Sequence, residues 1–160
     1  MIVDDFVAAI EQTRSVLTPS DIRWFEQQVG HTLPSDYRDF LERCSGGEAE
    51  FEVSTDDDSV VCLSHILGLE DLDRRLLLGY SLVTGSIEEV RIPIPMLPIA
   101  YTDGGDPLCM CLDADAFGAI YHIDHDCGGL DIATWARTRE EIDAEFRAFA
   151  SFTDMIAHIQ

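Results

Sequence analysis

The sequence contains no lysine, and its ten basic residues are all arginines, set against 31 aspartates and glutamates. The formal net charge is therefore −21 at pH 7. A surface of this charge repels phosphate backbones and anionic membrane surfaces, and it attracts basic partners. The composition therefore predicts that neither nucleic acid nor a membrane is a partner.

Long apolar runs and paired cysteines are also missing. No stretch approaches 18 consecutive apolar residues, so no membrane-spanning helix is predicted. The first five residues include two aspartates where a secretory signal carries cations, which predicts a cytoplasmic protein. The five cysteines are an odd number, which favours reduced thiols over a disulfide framework.

No repeat, proline-rich linker or low-complexity tract divides the 160 residues, so we predict a single domain over residues 1–160. The acidic surplus is uneven along it. Residues 44–136 carry 18 acids and only three arginines. The charge therefore lies in the middle of the predicted domain and not in a disordered tail.

Apolar residues at helical spacing predict three helices in the first quarter, over residues 3–16, from Pro19 to Gly30, and from Ser35 to the Gly46-Gly47 pair. Thr18 and Asp21 suit the start of the second helix, and Gly30 suits its end. A short helix is predicted over residues 70–80. Thr138–Glu141 and Ser151–Asp154 resemble capping boxes of two further helices, the first with Ile142, Phe146 and Phe149 on its apolar face.

The middle of the chain changes to the two-residue period of a strand. In residues 48–53 acids and apolar residues alternate, which predicts a half-buried strand with Ala49, Phe51 and Val53 inward. Further strands are predicted over residues 60–63, 97–102, 108–112 and 119–123. Helices followed by an antiparallel sheet and more helices indicate an α+β fold.

The stretch from Trp24 through Val29-Gly30 and Leu33-Pro34-Ser35-Asp36-Tyr37 to Gly46-Gly47 resembles the opening motif of the SUKH superfamily. Later pieces follow the family order: Leu97–Ala100, Asp103–Asp106, Ile120-Tyr121 and Ser151-Phe152. Residues 130–148 depart from the family and resemble an insertion, and the acidity is extreme for it.

The resemblance implies an α+β fold in which N-terminal and C-terminal helices flank a mixed, largely antiparallel sheet of about six strands. Bacterial members are mostly immunity proteins, which bind and neutralise a toxin, and eukaryotic members include a yeast regulator of cell-wall synthesis. The resemblance brings no catalytic residues. We therefore expect a binding protein without catalysis or cofactor, whose partner is a cognate, basic toxin domain. A regulatory scaffold with an endogenous partner is the alternative, and a thiol-dependent enzyme comes third.

The candidate toxin contacts are ten acids of the middle region: Glu48, Glu50, Glu52, Asp56, Asp57, Asp58, Glu70, Asp71, Asp103 and Asp106. Alternate residues of a strand stand roughly 6.6–6.8 Å apart on one face, so the three glutamates form a row of charge whose repulsion a basic partner relieves. The alternative is a solvated face that keeps an edge strand from aggregating.

A zinc site can be drawn from Cys109, Cys111, His122 and Asp124. If residues 113–118 form a hairpin turn, Cys109 lies opposite His122 and all four share one face of the sheet. Their Cys-x-Cys spacing is unusual for zinc, and buried cysteines commonly serve as small core residues, so no metal is predicted. Residues 113–118 likewise imitate a calcium loop but are predicted to be a turn, because Phe117 replaces an oxygen ligand.

A cysteine–histidine pair and two tryptophans are the remaining candidate functional residues. Cys44 and His31 lie near the ends of adjacent predicted helices, but nothing around them predicts a depressed thiol pKa. Trp24 and Trp135 are predicted to be core or rim aromatics, and either of them would be a candidate interface hot spot if exposed.

Overall fold

A computed structural model describes residues 2–12, 16–55, 59–68, 96–123 and 139–160. Within these ranges one antiparallel sheet contains seven strands, each paired with the next along the chain. The strands are β1 Glu11–Gln12, β2 Gly47–Ser54, β3 Val60–Ile66, β4 Met96–Thr102, β5 Pro107–Cys111, β6 Ile120–His122 and β7 Arg147–Phe149. The helices are α1 Val3–Ala9, α2 Pro19–Val29, α3 Ser35–Leu41, α4 Arg139–Phe146 and α5 Phe152–Ala157. The predicted α+β fold with flanking terminal helices is confirmed.

Helix α2 begins and ends where local chemistry predicts. The Thr18 side chain accepts from the Asp21 N–H, and the Asp21 carboxylate accepts from the Thr18 N–H at 2.8 Å. The Thr18 hydroxyl, which also donates to the Asp21 carboxylate at 2.7 Å, and the Thr18 N–H together lower the pKa of Asp21. Gly30 ends the helix with a left-handed φ of 76°. Ile22 and Phe25 are buried on the inner face, as their spacing predicts.

The first helix is shorter than its periodicity predicts. The predicted helix over residues 3–16 ends at Ala9, and the chain then enters strand β1. Glu11 and Gln12 pair with Glu48 and Gly47, so the sheet supplies their backbone with partners. The approach is close, because a Cβ at Gly47 would lie 2.2 Å from the Glu11 carbonyl oxygen. Pairing with β2 therefore outweighs local helix propensity here.

The last predicted helix pair also needs one correction. Helix α4 ends at Phe146, and Phe149, predicted on its apolar face, lies instead on strand β7 opposite Ile120. Phe149 is buried in either arrangement, so its hydrophobicity alone does not distinguish them. Helix α5 begins as predicted, because the Ser151 hydroxyl accepts from the Asp154 N–H at 3.1 Å.

The sheet has a core on each of its faces. On one face, which we call the helix-side face, Phe6, Tyr37, Phe40 and Phe152 bring α1, α3 and α5 together. The ring centroids of Phe40 and Phe152 are 4.9 Å apart, and those of Tyr37 and Phe152 are 5.1 Å apart. On the opposite face, α4 covers strands β5 and β6 through a second core. Its members are Met96, Cys109, Cys111, Ala119, Tyr121, Ile123, Ile142 and Phe146.

The Gly46-Gly47 pair marks a close crossing of the chain. Gly46 has a φ of 87°, and a Cβ there would lie 2.5 Å from both the Gly68 nitrogen and the Ile66 carbonyl oxygen. The backbone leaving α3 therefore runs directly against the end of β3 before β2 begins. Only glycine combines this positive φ with the absence of a side chain.

Candidate functional site

Strand β2 has one buried face and one charged face. Ala49, Phe51 and Val53 pack into the helix-side core, as the alternation predicts. Glu48 and Glu52 are exposed on the opposite face, and Glu50 lies exposed between them. The alternating burial of β2 therefore places three carboxylates on its exposed side, and the pairing with β3 is irregular between Glu48 and Phe51.

A fourth acid joins this row from the neighbouring strand. Glu11 of β1 lies directly opposite Glu48 of β2, so their side chains share one face with Cβ atoms about 4.5–5.5 Å apart. We call Glu11, Glu48, Glu50 and Glu52 the carboxylate row. Sequence reasoning missed Glu11, because the periodicity around Phe6 and Ile10 indicated a helix there.

The carboxylate row is not offset by an arginine in the part of the chain that the structure describes. Among the described residues, no arginine lies within ion-pair distance of its four members. Arg43 pairs with Asp4, and the Arg38 guanidinium lies 3.6 Å from the Glu26 carboxylate. Like charges placed opposite each other on a sheet destabilise the free protein, so an approaching cation would relieve repulsion here.

Strand β3 continues the same face beside the carboxylate row. Cys62 lies opposite Glu52 and is exposed, and His65 lies opposite Glu48. Val60, at the start of β3, is 51% exposed. A small apolar side chain and a thiol therefore border the charged row.

The outer edge of β2 is largely covered. Strand β1 pairs with Gly47 and Glu48 at one end. At the other end, the Ser54 N–H donates to the His158 carbonyl and the Gln160 N–H donates to the Glu52 carbonyl. Protection of a free edge strand, the alternative explanation for these acids, therefore applies at most to the middle of β2.

Two other predicted contact residues lie in the turn between β4 and β5. The Asp103 N–H donates to the Cys62 carbonyl at 3.0 Å, which places exposed Asp103 beside β3. Asp106 is directed elsewhere: its side chain is 17% exposed and its Oδ2 lies 3.4 Å from the His122 Nε2. The structure therefore brings Asp103 to the border of the charged face and joins Asp106 to β6. Asp56–Asp58, Glu70 and Asp71 lie outside the described residues, as does the predicted helix over 70–80.

The zinc site considered from the sequence requires a pairing of β5 with β6 that is wrong by one residue. Cys109 lies opposite Tyr121, and His122 lies opposite Leu108. The reason is that β5 ends at Cys111, so Leu112 joins the connecting loop and the register shifts. A shift of one residue moves a side chain to the other face, so Cys109 and Cys111 face α4 while His122 shares the Leu108 face.

Cys109 and Cys111 are buried core residues. Burial raises the pKa of Cys109 to about 12. Within the described ranges, no three His, Cys, Asp or Glu side chains are placed to hold a metal ion. Asp124, the fourth drawn ligand, lies outside those ranges.

The predicted turn over residues 113–118 is confirmed. It contains a single 3₁₀ turn, Ala114–Ala116, and the Asp113 carboxylate caps it by accepting from the Ala114 N–H at 2.9 Å. The Asp113 carboxylate therefore caps the local backbone of the turn.

The candidate Cys44–His31 pair also does not suit a nucleophilic cysteine and its base. Cys44 is fully buried behind α3, and burial raises the pKa of its thiol. His31 is exposed. A nucleophilic cysteine needs a lowered pKa, so the environment of Cys44 opposes that role.

A model described as the SMI1 / KNR4 family (SUKH-1) matches residues 16–158. The chain belongs to this family. It is also 32% identical over 127 residues to the SPbeta prophage-derived uncharacterized protein YokK of Bacillus subtilis (strain 168). That alignment covers 70% of this chain and 64% of the relative, so the chain spans less than two thirds of the relative's length. None of the helices described here is long and apolar enough to cross a membrane.

In this SUKH-1 chain two acids of the opening motif, Glu26 and Asp36, make hydrogen bonds within the protein. The Glu26 carboxylate accepts from the Leu33 N–H at 2.8 Å and also lies near Arg38. The Asp36 carboxylate accepts from the N–H of Thr153 at 3.0 Å and from its hydroxyl at 3.2 Å, which ties α3 to the start of α5. These motif acids are occupied within the protein, in contrast to the carboxylate row.

Trp24, another residue of the opening motif, is exposed in this SUKH-1 chain. Trp24 lies on α2 and is 49% exposed. An exposed tryptophan is a typical interface hot spot, so Trp24 is a second candidate contact. Trp135 lies outside the described residues.

Proposed function

We propose that this protein is an immunity-type protein, which binds a basic domain of a bacterial toxin and neutralises it by covering its active site, without catalysis. Membership of the SUKH-1 family supports a protein partner. The observation that carries the proposal is the carboxylate row, in which four exposed acids lie on adjacent strands and form no ion pair with an arginine of the described ranges.

The arrangement suits fast capture of a cationic surface. Glu11 and Glu48 repel each other in the free protein, and basic side chains of a partner remove that repulsion on binding. A patch of one charge sign also steers diffusional encounter and raises the association rate. Exposed Asp103 borders this field, and Asp56–Asp58, Glu70, Asp71 and Asp106 are included among the proposed contacts on their charge alone.

The proposed interface is the sheet side around β2 and β3. The opposite face of these strands is filled by the helix-side core and offers no surface. Exposed Val60 and Cys62 border the acids and supply a small uncharged contact area. A toxin domain seated here would be blocked sterically, and a cytoplasmic immunity protein would meet it after its delivery or synthesis.

The test begins with the reading frame next to the gene. If it encodes a toxin-like protein, the toxin domain and this protein are co-expressed, and rescue of growth is expected. A neighbour that is not bound and not neutralised would contradict the proposal and favour a regulatory scaffold with an endogenous partner.

Purified proteins then locate the interface. The triple variant Glu48→Gln, Glu50→Gln, Glu52→Gln is compared with the matched control Asp5→Asn, Asp39→Asn, Glu42→Gln, which removes three exposed charges from α1 and the α3 region. Raising salt from about 0.05 to 0.5 M should slow capture by the native protein about tenfold. The triple variant should bind more weakly and depend less on salt, whereas the control should remain near native.

Equal effects of the two variants would mean that only total charge matters. Unchanged affinity in the triple variant would move the interface away from the carboxylate row. Trp24→Ala, which leaves the sheet untouched, then tests the alternative surface on α2.

A further inference from the structure

We draw no further inference here: the strongest candidate, the exposed Cys62 thiol that faces Glu52 across strands β2 and β3, carries nothing of its own because it is a single cysteine inside the docking surface already proposed, and no second observation in the described ranges points to a ligand there.

Discussion

The two ends of one face of the sheet differ sharply. At strands β5 and β6 that face is covered by α4, and Cys109, Cys111 and Tyr121 are buried beneath the helix. At β1 and β2 the same face carries the exposed Glu11, Glu48, Glu50 and Glu52. A single sheet thus uses one end of a face for stability and leaves its other end charged. Coverage by a helix therefore decides whether one end of this face stabilises the fold or remains open to a partner.

Removing a core aromatic from the helix-side face should have the largest effect. Phe152 contacts Phe6, Tyr37 and Phe40, so Phe152→Ala should lower the free energy of unfolding by about 3–5 kcal/mol. Chemical denaturation measures this value. Phe117→Ala, at a ring that is 45% exposed, is the control and should change it by less than about 0.5 kcal/mol. Similar losses in both variants would refute this assignment of the core.

The difference in packing between the two ends of the face can be measured by truncating one aliphatic residue at each end. Ile142→Ala, on the buried face of α4, should cost about 2–5 kcal/mol, because it leaves a cavity in the second core. Val60→Ala, at the charged end, should cost no more than about 0.5 kcal/mol. If the Val60 variant lost as much stability as the Ile142 variant, the charged end would be packed rather than open.

Neutralising the charged end should stabilise the free protein. Glu11→Gln removes the like-charge pair with Glu48 and should raise the free energy of unfolding by about 0.2–1 kcal/mol at low salt. The gain should shrink as salt screens the charges, whereas a packing effect would not. Asp5→Asn is the control on α1. A loss of stability in the Glu11 variant would mean that the carboxylate makes a favourable contact.

The smallest effect concerns thiol reactivity and leaves stability unchanged. In a Cys127→Ser background at pH 8, a thiol reagent should label Cys62 rapidly, because it is exposed on β3. Cys44, Cys109 and Cys111 should stay unlabelled until the protein unfolds, because they are buried and burial holds the pKa of Cys109 at about 12. Mass spectrometry identifies the labelled residue. Labelling of Cys109 in the native protein would show that α4 opens readily.

Local chemistry explains which parts of this fold the sequence predicts. Thr18 and Gly30 define the ends of α2 through bonds made within a few residues, and the alternation in β2 fixes which side chains are buried. Strands β1 and β7 were missed because two or three residues become a strand only when a partner strand is present. Glu11 was lost from the predicted site for that reason. The predicted pairing of Cys109 with His122 was wrong because the end of β5 depends on the loop that follows the strand.

The order of the sheet also has a consequence for folding kinetics. Each strand pairs with its neighbour in the chain, so the sheet can grow by closing one loop after another. Links between the early and late parts of the chain are different: for example, Val53 pairs with Ile159, and the Asp36 carboxylate accepts from Thr153, which lies 117 residues away. Closing such long loops costs more chain entropy, so we expect these links to form late. Measured folding rates should then respond weakly to Asp36→Asn, while unfolding accelerates, which is the signature of contacts absent from the transition state.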